Sequence, residues 1–309
     1  MTTKEITDLI IQTYLKRIDE LSPGVARHFL YRASQIASSP KLEKLLEKAK
    51  QFTANEKIKI ETYINDPASI EAERNNRLLN YEVKKVNDAK KLEQWKKHLT
   101  LYAYHSIIWC LFYLKIFNLS YPKLWESKIK QKSTEIIDLL LNSSDFIKFS
   151  TVSAINIIFL SKNCELTNKD KEFVQIFKKL FANQKEIKTD PVIFTNYIYG
   201  LTHIIIGTSN FYQKKVNGYN WILKEFQKYE NRIFEELTLD INTEVALCYK
   251  LCNLENENYI NKVEKRLMKN FNPKEGYIVR ESDSSFRFAE HTNAITLLLF
   301  NFDKLNLKK

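Results

Sequence analysis

The apolar positions of this chain recur at helical spacing from end to end. Ile6, Ile10, Tyr14 and Ile18 form one stripe, which predicts an amphipathic helix over residues 3–21 that ends at Ser22-Pro23-Gly24. A second helix follows in GVARHFLYRASQIAS, with Phe29, Leu30 and Ala33 facing inward. Its His28, beside Arg27 and close to Arg32, reads as a surface residue. Ser39-Pro40 and Asp66-Pro67 each open a further helix, because proline in the first turn lacks an N–H that would have no partner there anyway. From Pro67 to about Asn118 no strong breaker occurs. The segment EAERNNRLLNYEVKKVNDAKK therefore reads as one long, solvent-covered helix. Beyond it Trp95, His98, Tyr102, His105, Trp109 and Phe112 fall on one seam. Such a seam is commonly a core edge where each imidazole hydrogen-bonds a neighbour, and it is read that way in preference to a ligand groove. PKLWESKIKQKSTEIIDLLLN, STVSAINIIFLS and NKDKEFVQIFKKLFAN continue the helical pattern, and turns such as NSSD, ELTNKD and VNGYN are short enough to favour antiparallel neighbours. No repeat at the tetratricopeptide or HEAT period is evident. The pattern predicts an all-α fold, an irregular α/α toroid or superhelix of antiparallel helices.

The stretch DPVIFTNYIYGLTHIIIGTSNFY, from Asp190 to Tyr212, is apolar nearly all round and predicts a buried helix capped by Thr189 or Asp190. Asn196, Tyr199 or Gly200, and His203 share one of its faces. A buried histidine and asparagine must find partners.

Composition sharpens this picture. Only 5 glycines and 6 prolines in 309 residues exclude an all-β fold, which needs many turns. Four of the glycines, Gly200, Gly207, Gly218 and Gly276, lie late in the chain together with the unusual polar residues. A soft division at about residue 185 follows: residues 1–185 as helical scaffold and 186–309 as the half carrying a site, within what can be one continuous domain. The net charge of +11 spreads over a lysine-rich chain with no arginine cluster or zinc-finger spacing, so a nucleic-acid partner is not expected. Cys110, Cys164, Cys248 and Cys252 form no disulfide framework. The N-terminus has acidic residues where a signal peptide would be apolar. The apolar runs are expected to fall short of a membrane span, leaving a reducing cytoplasm as the expected location.

Two later segments supply chemistry. In LDINTEVALCYKLC, Asp240, Glu244, Cys248 and Cys252 are four apart and make one helical stripe of carboxylates and thiols. Asp240 also suits the first turn, where the helix dipole favours negative charge. In NPKEGYIVRESDSSFRFAEHTNAITLLLF, Asn272 to Gly276 reads as a turn and YIVRES as a short extended piece. Ser284 or Ser285 would cap a last helix whose first turns hold Glu290, His291 and Asn293, with Arg280 and Arg287 placed to neutralise an anion. The expected catalytic groups are His203, Glu244, Glu290 and His291. The expected substrate-binding groups are Asn196, Tyr199, Arg280, Arg287 and Asn293. His203, Asp240, Glu244 and His291 together would suit a divalent metal. The same groups also suit metal-free acid/base work, or a buried network that only fixes helix packing.

YGLTHIII, DINTEVALC and EHTNAITLLL, over roughly residues 190–300, resemble the α/α-toroid families, such as lanthionine cyclases and carbohydrate-active α/α barrels, or an uncharacterised bacterial helical family. That resemblance implies His, Cys and acidic side chains gathered from successive helices around a cavity. The cyclase zinc site uses a Cys-His pair, whereas His291 here follows Glu290, so no residue role is carried over. Two functional readings stand side by side. One is a metal-dependent or acid/base enzyme acting on a small polar or anionic substrate. The other is a helical module that binds a protein partner without catalysis.

Overall fold

The computed structural model describes residues 1–83, 86–254, 256–279 and 285–308. Helices dominate throughout, so the all-α expectation holds. Contacts divide the chain into two compact units, Thr53–Asn210 and the combined segments Met1–Phe52 and Phe211–Lys309. This grouping differs from a division at about 185: the chain leaves the discontinuous unit after Phe52 and re-enters it at Phe211.

The discontinuous unit begins with α1 (Thr3–Arg17), α2 (Pro23–Ser34) and most of α3 (Pro40–Asn55). Thr2 and Glu5 form a reciprocal capping box at the start of α1, satisfying backbone donors that the first turn leaves open. Ser39 caps α3 by accepting from the Leu42 N–H.

The contiguous unit holds α4 (Lys57–Asn65), α5 (Pro67–Leu79), α6 (Val86–Lys97), α7 (Leu99–Ile116), α8 (Lys123–Leu141), α9 (Ser144–Phe149), α10 (Thr151–Asn163), α11 (Asp170–Leu180), α12 (Gln184–Thr189) and α13 (Pro191–Thr208). The charged stretch expected as one helix is two, since α5 stops at Leu79 and α6 starts at Val86. The aromatic seam is likewise interrupted at His98, which leaves helical geometry and precedes α7. By length and composition α7 is long and apolar enough to cross a membrane, against the expectation for the apolar runs. In this unit it serves as a core helix, burying Leu101, Tyr104, Ile108 and Leu111 among its neighbours.

At the centre of this unit α13 lies along α10. Asp190 caps α13 by accepting from the Val192 and Ile193 N–H groups, as the sequence predicts. A Cβ at Gly207 would sit 2.6 Å from Phe159, and one at Gly200 2.7 Å from Phe177. These glycines let the backbone of α13 approach its neighbours more closely than any larger residue permits.

The chain then supplies the discontinuous unit with α14 (Asn220–Lys228), α15 (Glu230–Glu236), α16 (Leu239–Leu251), α17 (Glu257–Lys269), a two-stranded hairpin β1 (Phe271–Asn272) and β2 (Tyr277–Ile278), and α18 (Phe286–Phe300). The hairpin turn is the predicted Asn272–Gly276, and Gly276 takes a φ of 74° in it. A Cβ there would stand 2.2 Å from Thr13 Oγ1, so glycine is required by conformation and by space. An aromatic stack of Phe29, Tyr14 and Phe286, with ring centroids 4.2 and 4.4 Å apart, joins α2, α1 and α18.

Candidate functional site

Three helices of the discontinuous unit meet at a polar cluster. α16 brings Asp240 and Glu244, α18 brings Glu290 and His291, and α2 brings His28. The helices are far apart in sequence but pack side by side, with most of each stripe apolar and buried. The polar residues are therefore held among side chains that cannot solvate them, and they solvate one another.

They do so as two imidazole–carboxylate pairs. His28 Nδ1 lies 2.8 Å from Glu290 Oε1, and His291 Nε2 lies 3.1 Å from Glu244 Oε1. The two imidazoles stack, with centroids 5.6 Å apart and planes inclined by 30°. Both carboxylates are buried, the Glu244 side chain being only 1 % exposed. The imidazoles form the open side: that of His28 is 22 % exposed and that of His291 36 %.

The two rings are pushed in opposite directions. Burial dominates at His28 and pulls it below the ordinary histidine value, the pull of Glu290 being too weak to compensate, while Arg32 and His291 add to the depression. Burial also acts against the charged form of His291. There the Glu244 hydrogen bond and charge, joined by Asp240 and Glu290, together outweigh it and raise the value. At neutral pH His28 is therefore the neutral ring, with its Nδ1–H donating to Glu290 and Nε2 carrying a lone pair. At His291 the shift favours the imidazolium, which donates through Nε2 to Glu244 and carries its second proton on Nδ1.

A strained turn completes the site. Asn210, Phe211 and Tyr212 take φ values of 54°, 55° and 71°, a run of left-handed residues none of which is glycine. Each such residue costs about 1–2 kcal/mol and needs surrounding structure to hold it. Arg32 supplies that hold, donating from Nη1 to the Phe211 carbonyl at 2.7 Å and lying 4.7 Å from the centroid of the Tyr212 ring. Burial, with the neighbouring Glu244 charge, pushes the Tyr212 hydroxyl well above its ordinary value, so it stays protonated. Cys248, one turn beyond Glu244, is pushed up by burial and by Cys252 and Glu244, so it is no thiolate nucleophile.

Several expectations change. His28, read as a surface residue, is a member of the cluster. Asn293 is fully buried and clamps the hairpin, accepting from the Ile278 N–H at 2.8 Å and donating to the Ile278 and Ala289 carbonyls. Asn196 is similarly engaged in the contiguous unit, bonding Asn87 and the Lys148 carbonyl. His203 also belongs to that unit, where its Nδ1 lies 3.1 Å from Asn156 Oδ1 and its ring meets Tyr199 edge-on. Arg287 is exposed on the first turn of α18, and Arg280 lies outside the described residues. The metal set of His203, Asp240, Glu244 and His291 does not assemble: among the described residues no group of three or more His, Cys, Asp or Glu side chains is placed to hold a metal ion. The residues that sequence reading missed are His28, Arg32 and Tyr212. For His28 and Arg32 a signal was present, since both interrupt the inward face of an otherwise apolar helix stripe. Nothing in the sequence marks the strained turn.

Two clefts of this unit lie away from the cluster. One of about 380 Å³ runs between α2 and α3 at Arg27, Leu30 and Phe52, and one of about 450 Å³ runs along α16 and α17 at Lys215, Tyr249 and Glu264. No curated protein and no solved structure matches the chain, so the likeness to toroid families gains no relative from comparison. One family model spans residues 3–308, covering both units and the whole polar cluster. The chain thus belongs to the family described as Domain of unknown function (DUF3541).

Proposed function

We propose that the chain is a metal-independent acid/base catalyst whose reacting groups are His28 and His291. The observation that carries this reading is the stacked pair of imidazoles, each anchored by its own buried glutamate and each partly exposed. Glu290 orients His28 so that Nε2 is the free base. Glu244 holds His291 protonated so that Nδ1 is the acid. Neighbouring titratable groups whose surroundings drive them apart are the usual basis for assigning such roles. The base would take a proton from water or a substrate hydroxyl, and the acid would protonate the leaving atom.

Charge selects the substrate class. Asp240, Glu244 and Glu290 face one imidazolium and the Arg32 guanidinium, which leaves the cluster with an excess of carboxylates. A neutral polar substrate therefore fits better than an anion. The expected cytoplasmic setting belongs to the same proposal and is supported by the free state of Cys110, Cys164, Cys248 and Cys252.

The test is a panel of neutral model esters, amides and glycosides assayed with the wild type, His28→Gln and His291→Gln. Turnover with a bell-shaped pH profile is expected, the acidic limb disappearing in His28→Gln and the alkaline limb in His291→Gln. Turnover left intact in both variants would sink the assignment.

A further inference from the structure

The contiguous unit contains a second unusual cluster, and it involves the aromatic seam. Arg74 of α5 is buried, yet it makes no hydrogen bond or ion pair among the described residues; its recorded neighbour is the Tyr102 ring, 5.9 Å from the guanidinium carbon. Lys91 of α6 places Nζ 4.5 Å from the centroid of the Trp95 ring. Trp95 stacks on Tyr102 at 4.4 Å, so both cations approach one aromatic pair. The Trp95 indole N–H and the Gln94 side-chain carbonyl are buried without a hydrogen-bond partner, although these residues are only 8 % and 4 % exposed. The nearby carboxylates do not answer the cations. Glu71 accepts from the Thr100 hydroxyl, and Asp88 acts on Lys91 only through space, without an ion pair between them.

Two cations at one aromatic pair, its Trp95 buried and its Tyr102 half-buried, with an unused indole donor and an unused carbonyl acceptor, make an incomplete constellation. A buried unpaired donor or charge is costly, so such a set persists where something else completes it. His105 is consistent with this surplus of positive charge. Burial, and then Lys91, Arg74 and His203, push it down to about 3, and it serves as a neutral acceptor for the Trp109 indole at 3.2 Å.

We propose that Arg74, Lys91, Trp95 and Gln94 form a receptor for the phosphate group of a small molecule. A hydrogenphosphate group fits the inventory: its anionic oxygens accept from Arg74, Lys91 and the Trp95 N–H, and its protonated oxygen donates to the Gln94 carbonyl. The aromatic pair forms an apolar wall for the organic part of the ligand. This site is independent of the His28–His291 cluster, and its success or failure leaves that reading untouched.

The experiment is thermal melting of the full-length protein in inorganic phosphate, acetate or chloride at constant ionic strength. Phosphate should raise the Tm saturably above chloride, since a ligand that binds only the folded state stabilises it by mass action. Arg74→Met and Lys91→Met should abolish the rise. Trp95→Phe, which keeps an aromatic ring and removes the indole N–H, should weaken the apparent phosphate affinity roughly tenfold or more, the expected effect of losing a hydrogen bond to a charged group. Where Arg74→Met does not fold, Lys91→Met and Trp95→Phe carry the same readout. No rise above chloride, a rise that survives in Lys91→Met, an apparent phosphate affinity unchanged in Trp95→Phe, or acetate acting as well as phosphate would each overturn the proposal.

Discussion

At the scale of single residues, the polar cluster is built from paired groups whose partners come from distant parts of the chain. Glu244 is buried in α16 and is satisfied by His291, whose ring is partly open to water. Replacing His291 by alanine removes that donor from a buried carboxylate. The expected loss is about 1–3 kcal/mol, the scale of a hydrogen bond to a charged group, and chemical denaturation of His291→Ala will measure it. The double variant His291→Ala, Glu244→Gln should recover part of the loss, because a neutral amide is cheaper to bury than a carboxylate. A double variant no more stable than the single one would show that the pair is not the stabilising unit. The residue scale is also where sequence reading misjudged most. His28 lies between basic neighbours on the chain and was assigned to the surface. Glu290, which makes it a buried partner, is 262 residues away.

At the scale of elements, local chemistry predicts starts better than ends. Asp190-Pro191 and Ser285 open α13 and α18 as their cap residues suggest. The break between α5 and α6 carries no proline or glycine, and pattern alone did not show it. The glycines of α13 illustrate the limit of propensity. On an exposed helix, Gly→Ala would gain about 1 kcal/mol. At Gly207 the added methyl would meet Phe159 at 2.6 Å, and the ring belongs to a fully buried side chain of α10 that cannot move aside freely. Gly207→Ala is therefore expected to destabilise the protein by about 1–3 kcal/mol, the usual cost of overpacking a core. A calorimetric Tm at or above the wild-type value would contradict this packing. α16 gives a further case. Asn242, fully buried, donates to the Ile233, Leu237 and Thr238 carbonyls and accepts from the Tyr259 hydroxyl at 2.7 Å. It anchors the start of the helix that carries Glu244, and no periodicity singles it out.

At the scale of the whole molecule, the two histidines give stability opposite pH dependences. His291 is raised when folded, so its contribution is complete below the unfolded value of about 6.5 and is lost as pH rises through the folded value. His28 is depressed when folded, so its contribution is complete above about 6.5 and is lost as pH falls toward the folded value. Stability should peak near neutral pH. Denaturant midpoints measured from pH 5 to 9 should show the alkaline decline flattened in His291→Gln and the acidic decline flattened in His28→Gln; unchanged profiles would rule out both assignments. Chain layout has a kinetic counterpart. Thr53–Asn210 is continuous, whereas the other unit joins Met1–Phe52 to Phe211–Lys309. Closing the longer loop costs more entropy before any contact rewards it. Pulsed hydrogen exchange during refolding should protect amides of α10 and α13 before those of α2 and α18.

The sequence by itself determined the helical class, most helix starts, the burial of α13 and the segments that carry Glu244, Glu290 and His291. These follow from spacing, capping and polarity within a few residues, which act locally and are written into the chain. Only the tertiary structure decided which groups meet. It paired His291 with Glu244 and His28 with Glu290, used Asn293 and Asn196 as structural clamps, and set His203 with Asn156 in the other unit. The physical reason is that a buried polar group must be satisfied by whatever packing brings beside it, and packing is fixed by apolar faces whose partners are distant in sequence.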